Sequence, residues 1–89
     1  MRQPVYTSQF KRDIKKAKKR GKDMEKIKKL IKKLIYGKAL PKKYKDHPLV
    51  GNWQSFRDAH IEPDWLLIYK IDGDDVRFER TGSHSDLFK

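Results

Sequence analysis

One segment of the chain, WLLIYKI at residues 65–71, is a nearly continuous apolar run. Such a run is typical of a central strand that is buried on both faces of a sheet. The turn sequence DGDD follows at residues 72–75, and VRFERT at residues 76–81 then alternates between apolar and polar residues. These three segments predict an antiparallel hairpin at the centre of a sheet.

Two further strands are predicted on either side of the helical part of the chain. WQSFRDA at residues 53–59 carries aromatic side chains with small and polar residues between them, and it is expected to pair with the central strand. QPVYT at residues 3–7 predicts a short strand that Pro4 restricts to the edge of the sheet or to its first position. Residues 38–52, with two prolines and a glycine, are expected to form a loop.

The lysine-rich first half predicts two amphipathic helices joined by a tight turn. Ser8 is expected to cap the first helix, Gly21 to end it, and Asp23 to cap the second. Gly37 lies where a helix end favours a left-handed residue. The apolar stripe of the second helix recurs at intervals of three and four and comprises Met24, Ile27, Leu30, Ile31, Leu34 and Ile35.

The predicted fold class is therefore α+β, in the order β-α-α-β-β-β, with a helical hairpin packed on a twisted antiparallel sheet. A chain of 89 residues is expected to form a single domain over residues 1–89. It contains no cysteine, which excludes a disulfide framework and a thiolate zinc site. Without a signal-peptide or membrane-spanning segment, a soluble, cytoplasmic protein with no membrane association is expected.

The charge of the chain is strongly uneven along its length. The net charge is +11, but residues 1–45 hold 18 Lys/Arg against 3 Asp/Glu, whereas residues 46–89 hold 5 against 9. A positive field of this kind attracts phosphate backbones or acidic protein segments, although it carries no information about base sequence. A polyanionic partner, whose identity the charge does not specify, is therefore expected for the first half.

The three histidines of the chain all lie in the second half, and the predicted strands bring them towards one end of the sheet. His60 would follow the 53–59 strand and Asp64 would precede the central strand, so both flank one hairpin loop. Antiparallel pairing returns Arg80 to that end, opposite residue 65 or 67, and His84 follows one short loop later. His47 joins them if its loop folds over the same edge.

These residues are suited to cleaving RNA without a metal ion. A histidine or carboxylate can take the proton of the 2′-hydroxyl, another can protonate the departing 5′-oxygen, and an arginine can stabilise the phosphorane. Singly, each histidine is more often a solvated loop residue, so the prediction depends on their convergence. Trp65 and Phe88 are expected to stack on unpaired bases, whereas Trp53 is assigned to the core.

Neither a metal nor another cofactor is expected. Three histidines and an aspartate could ligate zinc, but the sequence contains no tight pair of the HExxH kind. Lys45 and Arg57, which lie beside the histidine segments, are expected to be substrate-binding cations.

The chain resembles a known protein family over essentially its whole length, including the KDM at residues 22–24, and two segments carry most of that resemblance. YKDHPLVGNWQSFRDAHIEPDWLLIYK at residues 44–70 and RFERTGSHSDLF at residues 77–88 resemble the YafQ branch of the RelE/ParE superfamily of bacterial toxins. The resemblance implies a RelE-like microbial RNase fold and a ribosome-dependent endoribonuclease that cuts mRNA in the decoding site. It also implies a cognate antitoxin that neutralises the toxin, the pair usually repressing its own operon.

The motifs of the family place its functional residues on this chain one by one. The DHPL, RDAH, PDW, ERTGSH and DLF motifs correspond to His47, His60, Asp64 with Trp65, Arg80 with His84, and Phe88. We expect Asp64 or His60 to act as the general base and His84 as the general acid. Arg80 is expected to clamp the transition state, and His47 to assist by orientation or proton transfer.

Two other functions remain open from the sequence. A gyrase-inhibiting toxin of the same superfamily would not need this set of histidines. A non-catalytic module that binds RNA or the ribosome would use the same basic surface without turnover.

Overall fold

A computed structural model describes residues 1–88 of the chain. Its strands are β1 (Gln3–Tyr6), β2 (His47–Pro48), β3 (Arg57–Glu62), β4 (Trp65–Asp72) and β5 (Asp75–Gly82). Its helices are α1 (Ser8–Lys19), α2 (Met24–Ile35) and α3 (His84–Leu87), and single 3-10 turns cover Lys42–Tyr44 and Gly51–Trp53. Among residues 1–88, no helix has the length and apolar character needed to cross a membrane.

The strands form one five-stranded sheet in the order β1-β5-β4-β3-β2, which confirms the α+β class. The pairs β5-β4 and β4-β3 are antiparallel, as predicted, and β3-β2 is antiparallel as well, whereas β1 runs parallel to β5. The sheet is therefore mixed at one edge, because β1 leads into the helices and lies beside a strand from the far end of the chain. The short strand β2 and the helix α3 were not predicted.

The helix boundaries follow the local sequence closely. Thr7, and not Ser8, caps α1: its hydroxyl accepts a hydrogen bond from the Phe10 backbone N–H at 2.9 Å. Asp23 caps α2 as predicted. The predicted glycine positions are also confirmed, because Gly21 and Gly37 have φ values of +79° and +69°, which favour glycine.

The predicted strand over residues 53–59 was wrong in its position. Residues Gly51–Trp53 form a 3-10 turn and Ser55 adopts a φ of +79°, so the chain becomes extended only from Arg57 onward. As a consequence His60 lies inside β3, opposite Leu66, and not in the loop after the strand.

The register of the central hairpin is close to the predicted one. Ile71 pairs with Val76, the register that would place Arg80 opposite residue 67. A bulge then adds Glu79 to β5, so that Arg80 lies opposite Ile68 and not opposite residue 65 or 67.

Strand β4 is buried on both faces, as its composition predicts. Leu66, Leu67 and Ile68 are all fully buried. The face towards α1 and α2 carries the main core, which contains Phe10, Ala17, Ile27, Leu30, Leu34, Tyr44, Ala59, Trp65, Leu67, Tyr69, Val76 and Phe78. The opposite face carries a smaller cluster of Leu66, Ile68 and Leu87, against which Leu49, Trp53 and Phe56 pack.

Candidate active site

Two of the three histidines are placed by strand pairing on the sheet face that α1 and α2 leave uncovered. His47 of β2 lies directly opposite Asp58 of β3, and Asp58 and His60 share one face because they are two residues apart in a strand. The Nε2 atoms of His47 and His60 lie 3.7 and 3.8 Å from Oδ2 of Asp58. One carboxylate therefore lies between two imidazoles.

Asp58 is the residue of this site that sequence reasoning missed. The residue is only 3% exposed, and its Oδ1 has no hydrogen-bond partner among the described residues. Burial raises the pKa of Asp58 above its ordinary value, while the neighbouring imidazoles of His60, His47 and His84 act in the opposite direction. The i, i+2 spacing of Asp58 and His60 is the signal that could have identified it.

The third histidine is held by the turn between β3 and β4. The capping box of Ser83 and Asp86 starts α3 at His84. Oδ1 of Asp64 accepts hydrogen bonds from the His84 backbone N–H at 2.9 Å and from Nδ1 of its ring at 2.6 Å. These two bonds lower the pKa of Asp64, and they leave Nε2 of His84 directed away from its carboxylate partner.

The three imidazoles continue into an aromatic pair. The ring centroids of His47 and His60 are 6.1 Å apart, those of His60 and His84 5.8 Å, and those of His84 and Phe88 6.4 Å. Phe88 is 38% exposed and meets Trp53 edge-on at 6.3 Å. Trp53, which was assigned to the core, is thus partly exposed and supports the exposed ring of Phe88.

Arg80 of β5 is held by helix α1. Its Nε and Nη2 donate to the two carboxylate oxygens of Asp13 at 2.9 and 3.0 Å, and this pairing raises the pKa of Arg80. Arg80 and Asp64 line the same cavity of about 320 Å³. The structure therefore brings Arg80 to the end of the sheet that holds Asp64, as the hairpin predicts.

The remaining predicted substrate contacts differ in their accessibility. Trp65 is 1% exposed and points into the main core, so its prediction as a stacking platform was wrong. Arg57 is paired with Asp46 at 3.1 Å. Lys45 is exposed, and its carbonyl accepts a hydrogen bond from Nδ1 of His47 at 2.7 Å, which directs Nε2 of that ring towards Asp58.

A second cavity, of about 420 Å³, adjoins His60 on the side of α2. Lysine side chains dominate its rim, and Glu62 neutralises only part of their charge by pairing with Lys26 at 3.0 Å. The lysines of the rim are Lys26, Lys29, Lys43 and Lys45. Positive charge therefore reaches the edge of the imidazole row.

One group of side chains could hold a metal ion. Ligand atoms of His47, Asp58 and His60 all lie within 4.8 Å of one another. Two imidazole nitrogens and a carboxylate oxygen suit zinc or copper. The sequence spacing did not indicate this group, because β2 and β3 bring its members together from different segments.

The buried carboxylate of Asp58 predicts a pH-dependent stability difference for the isosteric variant Asp58→Asn. A raised folded-state pKa means that Asp58 contributes stability below its unfolded pKa of about 3.8 and loses it as the pH rises through the folded value. Urea unfolding should therefore show the variant gaining stability relative to the parent between about pH 4 and pH 7. A relative loss over that range would contradict the burial argument, and Asp64→Asn provides the exposed comparison.

Comparisons with known proteins show which family the chain resembles. The sequence model of a family described as "Bacterial toxin of type II toxin-antitoxin system, YafQ" matches residues 2–89. The "mRNA interferase toxin YafQ" of Escherichia coli strain K12 is 55% identical over 84 residues, which cover 93% of this chain and 91% of that protein.

Solved structures show the same fold. The toxin in a crystal structure of the E. coli DinJ-YafQ complex matches with a TM-score of 0.94 and 52% identity over 100% of both chains. A metal-bound toxin from Helicobacter pylori matches with a TM-score of 0.92 and 38% identity, covering 99% of this chain and 100% of that one. The chain therefore belongs to the YafQ family of bacterial toxins from type II toxin–antitoxin systems.

Proposed function

We propose that the chain is a ribosome-dependent endoribonuclease that cleaves mRNA in the decoding site by metal-free acid–base catalysis. Its membership of the YafQ family and its 55% identity to an E. coli mRNA interferase support endoribonuclease activity. The observation that carries the mechanism is the row of three imidazoles with centroid separations of 6.1 and 5.8 Å, two of them at one buried carboxylate. Such a row can hold a base and an acid on the two sides of one phosphodiester.

His60 is the better general base of the two candidates. Asp64 already accepts two hydrogen bonds from His84, and its lowered pKa makes it a weaker base. His60 is half-buried beside Asp58, whose carboxylate stabilises the imidazolium that forms when the ring takes the 2′-hydroxyl proton. His47 faces the same carboxylate and assists by orienting the substrate or passing the proton on.

His84 is suited to the role of general acid. Asp64 fixes the ring through Nδ1 and stabilises its protonated form, so Nε2 can donate a proton to the departing 5′-oxygen. Asp64 is therefore an orienting residue in this mechanism. Arg80 borders the cavity that Asp64 lines, where its guanidinium can bind the phosphorane oxygens.

The substrate is held by stacking and by charge. The exposed ring of Phe88, supported by Trp53, lies next to His84 and offers a face for an unpaired base. Lysines at the rim of the second cavity, Lys45 among them, can bind the phosphates of the strand, and Arg57 lies in the same part of the sheet. Trp65 contributes packing beneath the site and does not contact bases.

The ribosome and an antitoxin are the proposed macromolecular partners. The lysine-rich helices supply a surface for ribosomal RNA phosphates, and the ribosome would arrange the mRNA in line for attack. An acidic antitoxin segment, ordered on binding, would cover or reshape the site, in keeping with the antitoxin complex of the E. coli relative. Both partners imply action in the cytoplasm.

Replacement of the proposed acid tests the mechanism. His84→Ala should slow mRNA cleavage by about 10²- to 10⁴-fold, because the leaving oxygen loses its proton donor. Primer extension in a translating extract should show codon-internal breaks with the parent and with Ser85→Ala, an exposed neighbour on α3, but not with His84→Ala. Unchanged breaks with a folded His84→Ala would remove His84 from the mechanism.

Growth arrest with lost DNA supercoiling and intact mRNA would instead support a toxin that inhibits gyrase.

The metal-free mechanism predicts that bound transition metals inhibit cleavage. A metal ion on His47, Asp58 and His60 would occupy the nitrogen lone pair that the base needs. A chelator selective for Zn²⁺ and Cu²⁺ over Mg²⁺, which ribosomes require, should leave cleavage unchanged, whereas added Zn²⁺ should slow it. Loss of activity on chelation, restored by Zn²⁺, would show that the reaction depends on a metal.

Binding to the ribosome should weaken steeply with salt if the lysine-rich surface contacts phosphates. Lys29→Ala, at the rim of the second cavity, should reduce the slope of log affinity against log salt by about one. Arg77→Ala removes the same charge from β5, where the side chain pairs with Glu79 at 2.7 Å, and should leave the slope unchanged. Equal slopes for the parent and Lys29→Ala would exclude this lysine from the interface.

A further inference from the structure

The last residues of β5, from Glu79 onward, have no neighbouring strand on the side of β1, and helix α1 covers that edge instead. β1 pairs with β5 only as far as Phe78, and the chain then enters α1. Side chains of the N-cap and the middle of α1 replace the missing strand. Thr7 donates its hydroxyl proton to the Glu79 carbonyl at 2.9 Å, and Asp13 accepts from the Thr81 N–H at 3.1 Å.

Asp13 is the centre of this polar contact. Its side chain is only 6% exposed, and its two oxygens accept four hydrogen bonds. The donors are Nε2 of Gln9 at 3.0 Å, Nε and Nη2 of Arg80 at 2.9 and 3.0 Å, and the Thr81 N–H. Such a carboxylate is fixed in place by its surroundings and can fix a flexible partner in turn.

The pairing uses only one edge of the Arg80 guanidinium. A guanidinium has five N–H donors, and Asp13 takes one from Nε and one from Nη2. The opposite edge, formed by Nη1 and the second proton of Nη2, is a complete fork of the kind that binds two phosphate oxygens. The Arg80 side chain is 26% exposed and lines the cavity that contains Asp64.

We propose that Asp13 is a positioning residue of the endoribonuclease, which holds Arg80 so that its second edge faces the scissile phosphate. This inference rests on the proposed function of Arg80 as the transition-state clamp. Without Asp13, a long arginine side chain on a bulged strand edge would sample several rotamers. The entropy lost on ordering it would then add to the activation free energy.

The first test is Asp13→Asn, which keeps an oxygen that can accept from Thr81 but loses the charged fork. Single-turnover cleavage on ribosomes should slow by about 10- to 100-fold, with little change in the ribosome concentration at half-saturation. Asp23→Ala, which removes the carboxylate cap of α2, is the control for lost stability alone and should cleave at the parental rate per folded molecule. A parental rate for Asp13→Asn would overturn the inference.

A chemical rescue separates positioning from folding. Arg80→Ala should cleave slowly, and guanidinium ion, far below denaturing concentrations and matched with sodium chloride, should restore part of the rate because Asp13 can dock the ion. Asp13→Asn/Arg80→Ala should not be rescued. Equal rescue of both variants would overturn the inference.

The same set of variants tests the proposed function independently. Thermal melting and antitoxin binding should show that Arg80→Ala and the double variant are equally folded. If Arg80→Ala alone cleaves at the parental rate, the clamp role of Arg80 fails, and the positioning role of Asp13 fails with it. If Arg80→Ala is slow while Asp13→Asn is unaffected, only the inference fails.

Discussion

The burial of β4 on both faces is the constraint on which the rest of the structure depends. One face is covered by the helical hairpin and carries the main core, so the other must be shielded by short elements alone. The turn at Gly51–Trp53, the strand β2 and the four-residue helix α3 provide that shielding. Because these elements are short, they leave a rim where polar side chains on β3 and α3 stay accessible next to an apolar floor.

Two buried carboxylates, Asp58 on β3 and Asp13 on α1, differ in how much they contribute to stability and to the geometry of the site. Asp58 lies between His47 and His60 with one oxygen unpartnered, an arrangement that burial disfavours and that an apolar or amide residue would relieve. Asp13 differs because both of its carboxylate oxygens accept hydrogen bonds from α1 and β5. Asp13 therefore also secures a sheet edge, whereas the proposed role of Asp58 is to orient the imidazoles of His47 and His60.

The sequence predicted those parts of the fold that depend on local periodicity. The stripe of α2, its Asp23 cap and the apolar run of β4 each determine an element without help from distant residues. The predicted start of β3 was wrong because Ser55 adopts a positive φ between Trp53 and Phe56, both of which pack on the smaller cluster. The alternation of residues does not reveal that bend. The parallel pairing of β1 likewise depends on the whole chain between β1 and β5.

The sequence predicted which site residues lie close together when they belong to one hairpin. It predicted this less well for residues that come from separate segments of the chain. Pairing within β4 and β5 brought Arg80 to the end that holds Asp64, even though a bulge shifted its exact partner. Asp13 and Asp58 lie in segments that composition describes as basic helix and polar strand, so their burial was not visible. In the proposed mechanism, the lysine-rich half attracts the polyanion over long distances. Carboxylates of the acidic half, together with Asp13 of the basic half, orient the groups that react. A site lined only with cations would bind RNA tightly and leave its histidines without fixed tautomers, so in the proposed mechanism the carboxylates are the groups that allow bound RNA to be cleaved.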